Sequence, residues 1–168
     1  MITPLPDAPD IDTDPHPVAI VASRYNPEFT DGLLAGAQRE LEALLPNAEI
    51  DIYRVPGAFE IPVVVEQLCR EAPRQPAAIV ALGVIIRGKT AHADLIAASI
   101  TDSLATTART HLVPVIHEVL LVDRPEHAAE RSALDSPINR GAEAGRVAAS
   151  MIQLFRALPR KKRVVETE

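Results

Sequence analysis

AAIVALGVIIRGKT, residues 77–90, decides the fold, because it supports two incompatible readings. Its last eight residues match the phosphate-loop pattern G-x-x-x-x-G-K-[ST], and VLLVD at 119–123 adds an apolar run ending in an acid, as a nucleotide hydrolase requires. A working loop of that kind turns its variable positions sharply around the phosphates with their N–H groups inward. Here those positions are Val84, Ile85, Ile86 and Arg87. Three are β-branched, resist positive φ and favour extended backbone. The stretch therefore reads as a buried strand, AAIVALGVII, followed by a short turn, RGKT, in which Gly88 permits the bend and Thr90 opens the next helix. Free N–H groups at a helix start still attract an anion, so a small phosphate is the reading that survives.

The same alternation extends in both directions. VAIVAS (18–23), EIDIYRV (49–55) and VPVIHEVLLV (113–122) are short apolar runs of strand character. Between them NPEFTDGLLAGAQRELEALLP places Phe29, Leu33, Leu34, Ala37, Leu41 and Leu44 on one helical face, with Pro46 as a stop. AFEIPVVVEQLCREA and AHADLIAASITDSLATTARTH read as further helices, and RPEHAAERSAL and NRGAEAGRVAASMIQLFRAL as two more near the C-terminus. Strands separated by helix-length segments imply a parallel sheet, and hence an α/β three-layer α/β/α sandwich with a central four-stranded parallel sheet. In such sheets ligands sit beyond the carboxyl ends of the strands, which directs attention to SRYN, VPGAFE, IIRGKTAH and the stretch around 117–124.

Composition bounds the function. The chain has 168 residues, enough for one domain with a sizeable core; 47% are hydrophobic, 24% charged, and the single Cys69 excludes a disulfide framework or a Cys-based zinc site. A reducing cytoplasm is the expected location. No apolar run approaches the roughly 20 residues that span a bilayer, and the N-terminus lacks a signal-peptide pattern, so no membrane is expected. With a net charge of −6 no nucleic-acid partner is expected. Residues 1–17 carry five prolines and four aspartates and form a flexible arm, or one borrowed by a neighbouring subunit, ahead of a domain spanning 18–158. Residues 159–168 form a charged tail; Arg156, Arg160, Lys161, Lys162 and Arg163 read as a solvated cluster, with an anionic partner as the alternative.

His92, two residues beyond Thr90, puts a group that titrates near neutrality beside the phosphate turn. His92 and Asp94 do not make a metal pair, since residues two apart in a helix point different ways, and no metal is expected.

Six blocks together resemble the lumazine synthase family over residues 18–157: SRYNPEFTDGLLAGA, VPGAFEIP, ALGVIIRGKTAHADLIA, VPVIHEVLLVD, HAAERS and NRGAEAG. The resemblance implies a flavodoxin-like fold. It also implies condensation of 5-amino-6-(D-ribitylamino)uracil with 3,4-dihydroxy-2-butanone 4-phosphate to 6,7-dimethyl-8-ribityllumazine, the penultimate step of riboflavin biosynthesis, with release of inorganic phosphate and water and no cofactor. Carried over by position, Tyr25 stacks on the pyrimidine; Ala58, Phe59 and Glu60 hold the ribityl chain and ring; Val84, Ile85 and Ile86 read the uracil edge. Lys89, Thr90 and Arg131 bind the butanone phosphate, and His92 is the catalytic proton carrier. His117 stands where the family has a second aromatic, followed by Glu118 in place of a small residue. ERSALDSPINRG is one residue longer than the family's segment and carries Asp135 near the usual lysine, leaving Arg140 as the candidate replacement. The resemblance further implies a homopentamer with sites between neighbouring subunits, a sixty-subunit icosahedral capsid as the larger assembly that Pro137 and the extra residue put in question, and an association with riboflavin synthase. The altered segment and His117 also define the alternative, a lumazine- or flavin-binding or scaffold relative without turnover.

Overall fold

The structure, a computed structural model, describes residues 5–159. Four strands, β1 (Pro17–Ser23), β2 (Glu49–Val55), β3 (Ala78–Ile86) and β4 (Val115–Val122), form one sheet in the order β2-β1-β3-β4 with every pairing parallel. The expected four-stranded parallel sheet of a flavodoxin-like sandwich is thus present. The AIVALGVII run is strand through Ile86: Val84, Ile85 and Ile86 lie opposite Leu120, Leu121 and Val122. β-Branched side chains at these positions suit a pleated ladder better than an anion-wrapping loop.

Helices cover both faces, which is why β1 and β3 are apolar at nearly every position. Val18, Ile20 and Ala22 point into a core shared with α1 (Pro27–Leu44), α4 (Pro125–Ser132) and α5 (Arg140–Ala157), through Leu33, Leu41, Ala128, Ala148 and Ile152. Their neighbours Ala19 and Val21 face the other way, against Ile61 and Val65 of α2 (Ile61–Glu71) and Ile100 and Leu104 of α3 (His92–His111). β2 is an edge strand with mostly exposed residues, and β4 is the opposite edge.

Several boundaries differ from expectation. Residues 58–60 form a single 3-10 turn, and α2 begins only at Ile61, because the Glu60 carboxylate folds back to accept from the Gly57 N–H at 2.9 Å. α3 begins at His92, not Thr90; the Thr90 hydroxyl lies 3.5 Å from the His92 N–H it faces. Gly88 does not use a left-handed conformation, since no glycine has positive φ among the described residues.

The described part of the proline-rich arm follows its own chain. Asp12 donates its N–H to the Leu44 carbonyl, accepts from His16 at 3.0 Å and pairs with Arg156 at 2.7 Å, while Gln153 donates to the Asp10 carbonyl. Arg160, Lys161, Lys162 and Arg163 of the basic cluster lie outside the described residues.

Candidate active site

The site is built where β1, β2 and β3 end. After Ser23 the chain turns over the neighbouring strand, with the Arg24 N–H donating to the Val55 carbonyl at 2.8 Å and the Tyr25 N–H to Pro56 at 3.2 Å. Asn26 adopts the left-handed region at φ 55°, which asparagine tolerates better than most residues, and its Nδ2 donates to the Val84 carbonyl at 2.9 Å. That bond ties the start of α1 to the end of β3 and sets Tyr25 against the 57–60 turn. Gly57 makes the approach possible: a Cβ there would lie 3.2 Å from two Tyr25 ring carbons and 2.9 Å from Glu60 Oε2.

Tyr25, Asn26, Gly57, Ala58, Phe59, Glu60, Val84, Ile85, Ile86 and Ile96 enclose a cleft of about 280 Å³. Phe59 and Ile96 also border a second cleft of about 410 Å³, with His92 and Leu95. Tyr25 is 68% exposed, Phe59 57% and Leu95 69%, so three large apolar side chains stand open around one spot. Scattered exposed apolar residues are ordinary, but an exposed aromatic pair at the mouth of a cleft offers a flat ligand two faces.

The turn that links Ile86 of the first cleft to His92 of the second carries Lys89 and Thr90, both exposed and lining neither cleft. It is pinned by Arg87, whose Nε and Nη2 donate to Asp94 Oδ1 at 3.0 and 2.8 Å and whose Nη1 donates to Asp123 Oδ1 at 2.5 Å. The guanidinium, by hydrogen bonding first and charge second, holds the Asp123 carboxyl below the usual carboxylate range.

Two expected site residues lie on other elements of the chain. His117 sits mid-strand on β4, opposite Ala81, and borders a separate groove of about 520 Å³ between α3, β4 and α5. Its Nδ1 accepts from the Val119 N–H at 3.2 Å, which leaves Nε2 to donate to the Thr101 hydroxyl at 2.9 Å. That is the bonding of a neutral imidazole, and burial pushes its pKa below the ordinary value. Glu118, on the other face of β4, is raised to about 7 by burial, with Arg140 opposing and Glu143 reinforcing the shift. Arg131, on α4, donates Nη1 to the His127 carbonyl at 3.0 Å and lies 3.5 Å from Glu130. Neither His117 nor Arg131 borders the two clefts.

Arg140, the candidate replacement for the missing lysine, is ion-paired with Glu143. The segment before it is a compact turn: the Ser136 hydroxyl donates to the Glu130 carbonyl at 2.6 Å, and buried Asn139 caps α5 through Ala142. Among the described residues no three His, Cys, Asp or Glu side chains gather as metal ligands would. Asn26, Gly57, Leu95, Ile96 and the Arg87 clamp were not singled out from sequence. Only the Asn-Pro dipeptide at 26–27 carried a local signal, for a left-handed residue ahead of a helix.

A model of the family described as 6,7-dimethyl-8-ribityllumazine synthase matches residues 16–156. The chain is similar to proteins of that name from Thermosynechococcus vestitus, 41% identical over 83% of this chain and 79% of the relative. Stenotrophomonas maltophilia has one 40% identical over 84% and 90%. One from Kineococcus radiotolerans is 46% identical over 76% and 77%.

Proposed function

The chain belongs to the 6,7-dimethyl-8-ribityllumazine synthase family, and from that premise we propose how its residues divide the work. The protein is a transferase of riboflavin biosynthesis. It condenses 5-amino-6-(D-ribitylamino)uracil with 3,4-dihydroxy-2-butanone 4-phosphate to 6,7-dimethyl-8-ribityllumazine, releasing phosphate and water.

Tyr25 stacks on the pyrimidine. The backbone of Val84, Ile85 and Ile86 meets the uracil edge, and Ala58, Phe59 and Glu60 hold the ribityl chain. Lys89 and Thr90 receive the phosphate, and His92 relays protons as the amine adds to the ketone, water leaves the carbinolamine and phosphate is eliminated. The observation that carries this reading is the pair of clefts that share Phe59 and Ile96: pyrimidine-side residues line one, His92 lines the other, and residues 87–91 run along the chain from Ile86 of the first to His92 of the second. Much of the acceleration comes from holding two reactive partners in register.

His117 and Arg131 act from a neighbouring subunit. Each chain carries two separated half-sites, so a working form needs at least one neighbouring subunit; the family resemblance makes it a homopentamer, with a sixty-subunit shell and association with riboflavin synthase as larger assemblies. Residues 18–158 form the catalytic domain, flanked by the arm and the charged tail. The enzyme works in the cytoplasm; no helix among the described residues is long and apolar enough to cross a membrane.

The test is absorbance-monitored lumazine formation in EDTA, comparing the natural protein with His92→Ala and Arg131→Ala. Metal-free turnover reduced by both changes supports the assignment. Variants with unchanged kinetics overturn the roles given to those residues.

A further inference from the structure

Arg87 is the best-connected side chain near the site, yet nothing in the reaction scheme uses it. Three of its N–H groups bind two carboxylates, Asp94 in the first turn of α3 and Asp123 just after β4, while its own N–H donates to the Val122 carbonyl at 2.9 Å. The turn that follows has little else to hold it. Lys89, Thr90 and Ala91 are exposed, a side chain on Gly88 would meet nothing within 4 Å, and the other side-chain bond there among the described residues is the long Thr90 to His92 contact of 3.5 Å.

We propose that Arg87 is a positioning residue of this site, its guanidinium clamping the phosphate turn between α3 and the end of β4 so that Lys89, Thr90 and His92 keep the spacing the phosphate and the ketone need. The proposal rests on the phosphate reading of that turn. A planar fork can hold Asp94 through two nitrogens and Asp123 through a third at once, which a lysine ammonium on a flexible stem cannot do with the same geometry. The clamp also neutralises part of the acidic charge that would otherwise repel a phosphate. Asp123 lies two residues before α4, the helix of Arg131, so the same guanidinium ties the turn to the segment that leads into that helix. The competing role is direct: Arg87 turning outward to grip the phosphate itself.

The experiment uses the natural assembled protein, Arg87→Ala, Arg87→Lys, the double variant Asp94→Asn with Asp123→Asn, and Lys89→Ala. Inorganic phosphate is the probe, read as an inhibition constant against the butanone phosphate, beside KM for each substrate and kcat. A loosened turn is expected to weaken phosphate inhibition and raise the butanone phosphate KM by about tenfold or more in Arg87→Ala, with the pyrimidine KM moving by less than about threefold. Arg87→Lys recovers part of the loss. The double Asn variant decides between the roles, because it frees the guanidinium and removes two negative charges, yet a clamp requires that phosphate binding weaken. Tighter or unchanged phosphate binding in that variant overturns the proposal in favour of a direct ligand. Equal weakening of both substrates in Arg87→Ala, with loss of the assembled form on a sizing column, overturns it in favour of a purely structural role. Lys89→Ala separates the two levels: if it leaves phosphate inhibition unchanged, the phosphate reading of the turn fails. If it weakens inhibition while Arg87→Ala does not, the clamp alone fails.

Discussion

Gly57 shows how closely the pyrimidine side is fitted. Its absent Cβ is the space in which the Tyr25 ring and the Glu60 carboxylate meet the backbone, and Gly57→Ala forces one of them outward. Overpacking of this kind costs about 1–3 kcal/mol, so the pyrimidine KM should rise about tenfold, with the phosphate inhibition constant unchanged; steady-state kinetics with each substrate varied will show whether the two sides separate. Two residues on β4 give opposite pH signatures. The folded-state pKa of Glu118 is about 7, above its unfolded value, so its stabilising neutral form is fully present below the unfolded pKa and is lost as pH rises through about 7. Glu118→Gln should therefore raise the melting temperature above pH 7, by the equivalent of about 3 kcal/mol, and leave it nearly unchanged near pH 4.5. His117 is depressed instead: the unfolded imidazole takes its proton first as pH falls, so stability declines from about pH 6.5 downward. His117→Phe should remove that acid-side decline in melts recorded from pH 7.5 to 5, while above pH 7 it shifts stability by a pH-independent amount through the lost Thr101 and Val119 hydrogen bonds.

At the scale of elements, the altered segment between α4 and α5 is held by one buried side chain. Asn139 donates to the Ser132 and Ala133 carbonyls at 2.9 Å each and accepts from the Ala142 N–H at 2.8 Å, so a single amide closes the end of α4 and the start of α5. Removing it leaves buried carbonyls and an N–H without partners, and Asn139→Ala should cost about 2–4 kcal/mol, measurable by urea unfolding. Gly141 is equally constrained: a Cβ there would fall on the Leu33 carbonyl, where α5 crosses α1. The strands and helices were readable from sequence because their signals are local and periodic. β3 announced itself by Val84, Ile85 and Ile86, and α1 by the spacing of Leu33, Ala37 and Leu41, all three now buried. α2 starts three residues later than its spacing predicts because Glu60 reaches back to Gly57, a choice between side-chain and helical hydrogen bonds that spacing does not reveal. The Arg87 clamp was invisible for a different reason. Asp94 and Asp123 stand 7 and 36 residues away; the turn into α3 brings the first to the guanidinium and the register of β3 on β4 brings the second.

For the whole molecule, what matters is that the proposed site residues fall into two groups that one chain does not bring together. Tyr25, Phe59, Glu60 and His92 surround the paired clefts, while His117 and Arg131 lie on β4 and α4. In the proposed head-to-tail ring the first group of one subunit meets the second group of the next, and closure of the ring completes every site. This makes complementation the decisive measurement. A chain carrying Tyr25→Ala and His92→Ala keeps its second half-site, and a chain carrying Arg131→Ala keeps its first. Each should assemble into a crippled homopentamer. Unfolded together in equal amounts and refolded, the mixture should regain about a quarter of natural activity, the fraction of interfaces at which an intact first half-site meets an intact second. If each chain held a complete site of its own, the mixture would stay as inactive as its components. Sizing columns run on the same samples will establish that both variants still form rings, so that silence cannot be attributed to failed assembly.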